Sequence, residues 1–214
     1  AIIVRDGLKR MYSNQENIFY YITLYNEAYE MPPIPISDDD NLTEGVLKGM
    51  YRYQKSKKND GTANAHILAS GPIIIQALAA QQKLEDLGVV TDIWSVTSFN
   101  ELYRDAIECD RKRMKNAMYL EKSHLEYCLE QEKGVFVAVT DYQKSLPAKL
   151  AKWIPGPFNI LGTDGFGISE TRKELRNHFE VNANYIVLSV LTSLNENGLI
   201  EAQVVSQFRS EFDH

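Results

Sequence analysis

The sequence predicts an α/β protein: a three-layer fold with a mostly parallel sheet and helices on both faces. Three observations carry the prediction. Apolar β-branched runs at 65–69 (AHILA), 89–99 (VVTDIWSVTSF) and 135–140 (VFVAVT) read as buried strands. Stretches of helical periodicity alternate with them, as in sheets joined by helical crossovers. Gly and Pro punctuate the joints: Gly71-Pro72 opens a helix and Gly88 ends it.

The elements follow in order. Residues 1–11 carry Ile2, Ile3, Val4, Leu8 and Met11 before Ser13-Asn14 and read as a helix. The chain starts at Ala1 inside that helix, so a piece of a longer protein is expected. Residues 18–24, IFYYITL, read as a strand buried on both faces. NEAYEMPPIPISDDDN then reads as an exposed linker, with prolines and three consecutive aspartates, Asp38 to Asp40. A domain boundary is expected near residue 35.

GMYRYQK at 49–55 suits a strand, and Asp60-Gly61 a hairpin turn into the strand at 65–69. In the next helix Ile73, Ala77, Ala80, Leu84 and Leu87 form the apolar stripe. From about residue 100, Leu102, Ala106, Cys109 and Met114 form another. Residues 143–153 read as helical, with Pro147 in the first turn. FNILG at 158–162 is the last expected strand. Helices are expected at about 171–178, 183–196 and 201–212, the last with Val205, Phe208 and Phe212 on one side.

Composition narrows the functional classes. A net charge of −6 argues against a nucleic-acid binder. No apolar run approaches the roughly 18 residues of a membrane span. Cys109 and Cys128 lack metal-ligand spacing and read as reduced cytoplasmic thiols.

The sharpest feature is NILGTDGFGISETRKELRNHFE at 159–180. Its G-T-D-G-F-G matches neither a dinucleotide fingerprint nor a Walker loop. Thr171 with Glu174 fits a capping box, which satisfies the local backbone donors. The stretch therefore reads first as a structural or interface loop and second as a ligand contact at a helix N-terminus. Arg172 and Arg176 share one helix face, as do Glu174 and His178. His66 reads as a core histidine within a strand, and His124 lies in a polar connection. RKRMK at 111–115 reads as an exposed helix end, and the aspartate run as solvated acid. No nucleophile elbow or zinc pair occurs, and no catalytic constellation is complete.

Five stretches together resemble one family: DGLKRMY, YYITLYNEAYEMPPIP, LASGPIIIQAL, DIWSVTSFNELYRD and LGTDGFGISETRKELRNHFEVNANYIV. The chain is similar throughout to the carboxy-terminal part of the homodimeric pyruvate dehydrogenase decarboxylase component. The similarity is weakest over residues 110–134. The resemblance implies that residues 1–35 end a middle domain and that residues 36–214 form a transketolase C-terminal-like domain. It implies an enzyme that decarboxylates pyruvate on thiamine diphosphate and magnesium and reductively acetylates lipoyl groups. Its implied partners are a second copy of the full-length chain and a lipoyl acyltransferase, with no nucleic acid and no membrane.

The cofactor ligands of that family lie outside this stretch. Its Gly-Asp-Gly motif is not met, because Thr163 precedes Asp164-Gly165. No catalytic, cofactor or metal residue is therefore expected here, and no activity from this stretch alone. Asp164, Phe166, Arg172, Arg176 and His178 are the candidate interface residues. The competing expectation is a stand-alone α/β module that binds an anion or a protein through the 162–172 loop.

Overall fold

The structure is a computed structural model that describes residues 1–34, 40–58, 60–61 and 63–212. Five strands form one sheet in the order β1-β3-β2-β4-β5. They are β1 (Met50–Gln54), β2 (Ala63–Ser70), β3 (Val89–Val96), β4 (Val135–Val139) and β5 (Phe158–Leu161). β2, β3, β4 and β5 run parallel, and β1 pairs antiparallel with β3 at the edge.

Alternation along the strands builds two cores. In β2, Ile67 and Ala69 face one side and Leu68 the other; in β4, Val135, Val137 and Val139 oppose Phe136 and Ala138. The first side packs on α3 (Ile74–Asp86) and α8 (Ala183–Glu196) through Ala77, Leu84, Ile186 and Val190. The second packs on α4 (Phe99–Lys115) and α5 (His124–Leu129) through Phe99, Leu102, Leu125 and Leu129. This is the expected three-layer arrangement. Truncating Phe136, which is fully buried, to Ala costs about 3–5 kcal/mol at such a site. The remaining helices are α1 (Ile2–Leu8), α2 (Asp40–Lys48), α6 (Ser145–Ala148), α7 (Arg172–His178) and α9 (Ala202–Phe212).

Several expectations are corrected. Residues 18–24 are not a strand but chain without regular secondary structure, outside the sheet, with Phe19, Tyr21 and Leu24 exposed. Strand propensity needs a pairing edge, and among the described residues none is supplied to them. Tyr20 instead turns onto α1 and the π-helical turn after it (Lys9–Ser13), where its hydroxyl donates to Asp6 (2.6 Å) and accepts from Arg10 (3.1 Å). Asp60-Gly61 makes no hairpin, because β3 lies between β1 and β2. After β1 the chain is tied down by Ser56, whose N–H donates to Asp92 and whose hydroxyl donates to Glu85.

Leu87 and Met114 leave their stripes and are exposed. Leu87 caps α3, where Gly88 turns the chain through a φ of +82°; Met114 lies in the last turn of α4, beyond the buried Cys109. The 143–153 helix is two short pieces, α6 and a 3-10 turn at Ala151–Trp153. His124 opens α5 rather than lying in a connection. Asp38 and Asp39, the boundary at residue 35 and the Phe212 side chain lie outside the described residues.

Candidate functional site

In a parallel sheet, ligands favour the crevice at the carboxyl ends of strands where the connections diverge. Here that switch point lies between β2 and β4, neighbours whose connections lead to opposite halves of the sheet. Ser70 ends β2 and donates its hydroxyl to Thr140 Oγ1 at 2.8 Å, both residues being buried. Asp141 follows, and its carbonyl accepts from the Thr163 hydroxyl at 2.7 Å.

The crevice is filled from within. The Tyr25 hydroxyl lies 2.6 and 2.8 Å from the two Asp141 carboxylate oxygens. Burial first, and the Asp141 carboxylate second, push the Tyr25 phenol well above its ordinary value, so it stays a donor. Gly71 at the head of the following turn has a φ of +55°, and a Cβ there would stand 2.9 Å from the Tyr25 hydroxyl.

The structure brings two of the five candidate residues together. Arg172 and Arg176 project from α7 over the ring of Tyr29, at 4.9 and 5.8 Å from its centroid. Arg172 Nε also lies 3.0 Å from Glu27 Oε2. Burial, then the neighbouring Arg172 charge, lowers the Arg176 guanidinium from its ordinary value. Asp164 accepts from the Lys144 backbone N–H at 3.0 Å. Phe166 is 94% exposed. His178 is exposed, with its ring edge-on to Phe179.

The Thr171 cap is half of the expected box. Its hydroxyl accepts from Glu174 N–H, but its own N–H donates to Glu170 at 2.6 Å. A full capping box stands at Ser123 and Glu126, which opens α5. The S-x-x-E signal was legible there in SHLE.

A second cluster escaped the sequence reading. His66, Asp92 and Glu132 place one ligand atom each within 4.8 Å of one another, beside a cavity of about 200 Å³. Strand register explains it, because His66 on β2 is paired with Asp92 on β3. The Arg52 guanidinium contacts both Asp92 (3.3 Å) and Glu132, and supplies the positive charge itself. The His66 ring is also committed: Nε2 donates to the Lys133 carbonyl (3.1 Å) and Nδ1 faces the Trp94 N–H (3.4 Å).

Cys128 lies 3.5 Å from His124 Nε2, but that nitrogen is 2.8 Å from the Met50 carbonyl and donates there. Burial pushes the Cys128 thiol up to about 11, so the pair is not an activated nucleophile.

Residues 49–182 match the family described as "Transketolase-like TK C-terminal domain". The chain belongs to that family. Residues 1–32 match the family described as "Pyruvate dehydrogenase E1 component middle domain". The chain is 40% identical to the pyruvate dehydrogenase E1 component of Pseudomonas aeruginosa over 210 residues, 97% of this chain and 23% of that protein. It is 39% identical to the component of the same name from Escherichia coli K12, over 100% of this chain and 24% of that protein. The chain thus spans about a quarter of the length of these relatives. Transketolase from Leishmania mexicana superimposes with a TM-score of 0.50 at 19% identity, over 72% of this chain and 19% of that one. That likeness shows the transketolase-like C-terminal fold alone. No helix among the described residues is long and apolar enough to cross a membrane.

Proposed function

We propose that this chain is the carboxy-terminal part of a thiamine-diphosphate-dependent pyruvate dehydrogenase E1 enzyme, with a structural and interface-forming role. The enzyme would decarboxylate pyruvate and reductively acetylate the lipoyl groups of an acyltransferase partner. One observation carries the reading: similarity to E1 components over almost the whole chain, with residues 1–32 matching the E1 middle domain. In this reading residues 1–35 end that domain, and residues 36–214 form the supporting domain of a cytoplasmic homodimer.

The residues present do not fit a magnesium diphosphate. Thr163 stands where the family motif needs glycine, and an Asp164 oxygen is held by the Lys144 N–H. The cofactor belongs to the whole enzyme, and this chain's contribution is to hold position. Phe166, almost fully exposed beside a strand-to-helix loop, supports an interface that also uses Asp164, Arg172, Arg176 and His178.

Thermal shift with thiamine diphosphate and magnesium, together with pyruvate turnover, tests the reading. No shift and no turnover by this chain are expected. A ligand at 100 times its dissociation constant would stabilise by about 2.7 kcal/mol, so saturable binding would be seen and would overturn the assignment. The second reading is an anion-binding module, favoured by the adjacent guanidinium groups of Arg172 and Arg176. A shift with inorganic phosphate, and none with thiamine diphosphate, would select it.

A further inference from the structure

Residues 23–29 have no regular secondary structure, yet alternate residues each reach the α/β unit. Thr23 Oγ1 accepts from the Tyr142 hydroxyl at 2.6 Å. Tyr25 donates to Asp141. Glu27 lies beside Arg172, and Tyr29 lies under Arg172 and Arg176. Beyond them the Pro33 carbonyl accepts from the Tyr53 hydroxyl of β1 at 2.7 Å. Tyr25 and Tyr29 are the partly buried anchors, while Thr23, Leu24, Asn26, Glu27 and Ala28 are exposed. The contacts thus recur at every second residue although the chain bends at Asn26 and Glu27 and has no sheet partner among the described residues.

The contacts are chemically diverse and spread over four elements: the ends of β2 and β4, α7 and edge strand β1. Fixing an unpaired backbone costs about 1–2 kcal/mol per residue, so a segment with no ladder bonds stays put only if side chains anchor it. Here the anchors come at every second position. Gly71 leaves room for the Tyr25 hydroxyl where a Cβ would collide with it. Pro32 and Pro33 restrict the chain as it leaves the crevice.

The geometry points to a latch: residues 23–33 occupy the switch-point crevice as its resident ligand and hold residues 1–22 in a fixed place, with α1 beside α2. The crevice is then closed to small molecules while the latch is down. Lifting it bares the Asp141 carboxylate and the Arg172 and Arg176 guanidinium groups together. The inference stands whether or not residues 1–35 belong to a separate domain, because it rests on contacts within this chain.

Chymotryptic cleavage of the full chain, mapped by mass spectrometry, tests it. Tyr25→Phe keeps an equivalent cleavage residue and removes only the hydroxyl held by Asp141; Asp141→Asn weakens the same contact from the other side. Cleavage after residues 25 and 29 should rise about tenfold in each variant, with the thermal midpoint of the α/β unit held within a few degrees. In the double variant the increase should be no larger than in either single one, because both changes break the same contact. Unchanged cleavage at these bonds would overturn the latch. So would a rise accompanied by equal cleavage within β2 to β4, which would mark general loosening.

Discussion

Arg113 and Glu126 form a two-point ion pair, with Nη1 3.0 Å and Nη2 2.9 Å from the two carboxylate oxygens. It ties the end of α4 to the cap of α5. The same carboxylate accepts from the Ser123 N–H (2.9 Å) and hydroxyl (2.7 Å), so one side chain serves as salt-bridge partner and capping group.

That double use predicts an acid-sensitive joint. Burial works to raise the Glu126 carboxyl, but the hydrogen bonds from Arg113 and Ser123 outweigh it and bring it down from 4.5 to about 2. A carboxyl depressed in the folded state contributes its stability fully above 4.5 and loses it as pH falls towards 2. Glu126→Gln should flatten the stability profile across that window in urea titrations. At neutral pH it should cost about 1–2 kcal/mol, solvent screening of this half-buried pair included.

His66 predicts a separate effect at higher pH. Burial is the main cause that holds its imidazole below the ordinary 6.5, with the Lys133 carbonyl acting in the opposite sense. Below 6.5 the unfolded chain takes up a proton that the folded chain refuses, so stability declines as pH falls from there. His66→Gln should remove the first part of this decline and leave the Glu126 window intact. Urea midpoints measured at half-unit pH steps separate the two.

Two glycines predict opposite severities. Gly134, at φ +116°, precedes β4, and a Cβ there would sit 2.1 Å from the Asn64 carbonyl oxygen. Gly165, at φ +96°, has nothing within 4 Å of that position. Gly134→Ala should destabilise by roughly 3 kcal/mol or more, because backbone must move. Gly165→Ala should cost only the left-handed penalty of roughly 1–2 kcal/mol. Thermal unfolding of both variants measures the difference.

Arg176 tests the proposed interface. In the proposed homodimeric enzyme, Arg176→Glu should weaken dimerisation by at least about tenfold in sedimentation equilibrium, the scale for a charge placed against the proposed interface. Unchanged dimer affinity would remove Arg176 from the proposed contact set.

Much of the fold was legible before the structure. The stripe of Ile73, Ala77, Ala80 and Leu84 is fully buried, as its spacing implied, and the all-apolar VFVAV is the doubly covered strand β4. Gly88 stops its helix where expected, with positive φ. Periodicity, however, reports burial without a partner. It could not tell that 18–24 meets no sheet edge among the described residues. It also could not tell that Met114 overruns the core while Cys109, five residues earlier, does not.

The site was less legible. Arg172 and Arg176 were visible as a same-face pair, but Tyr29, which joins them, lies more than 140 residues earlier in the sequence. Tyr25 on Asp141 and Arg52 between Asp92 and Glu132 likewise join residues that no local pattern relates.

By itself the sequence determined what local chemistry and near-neighbour spacing can encode: the alternation of strands and helices, most of their boundaries, the two-sided burial of the central strands, and the resemblance to one family. Tertiary structure alone decided strand order, the antiparallel edge, and the docking of residues 23–33 on the crevice. Those depend on which distant segments meet, and the free energy of such meetings lies in pairs of surfaces rather than in either stretch of chain.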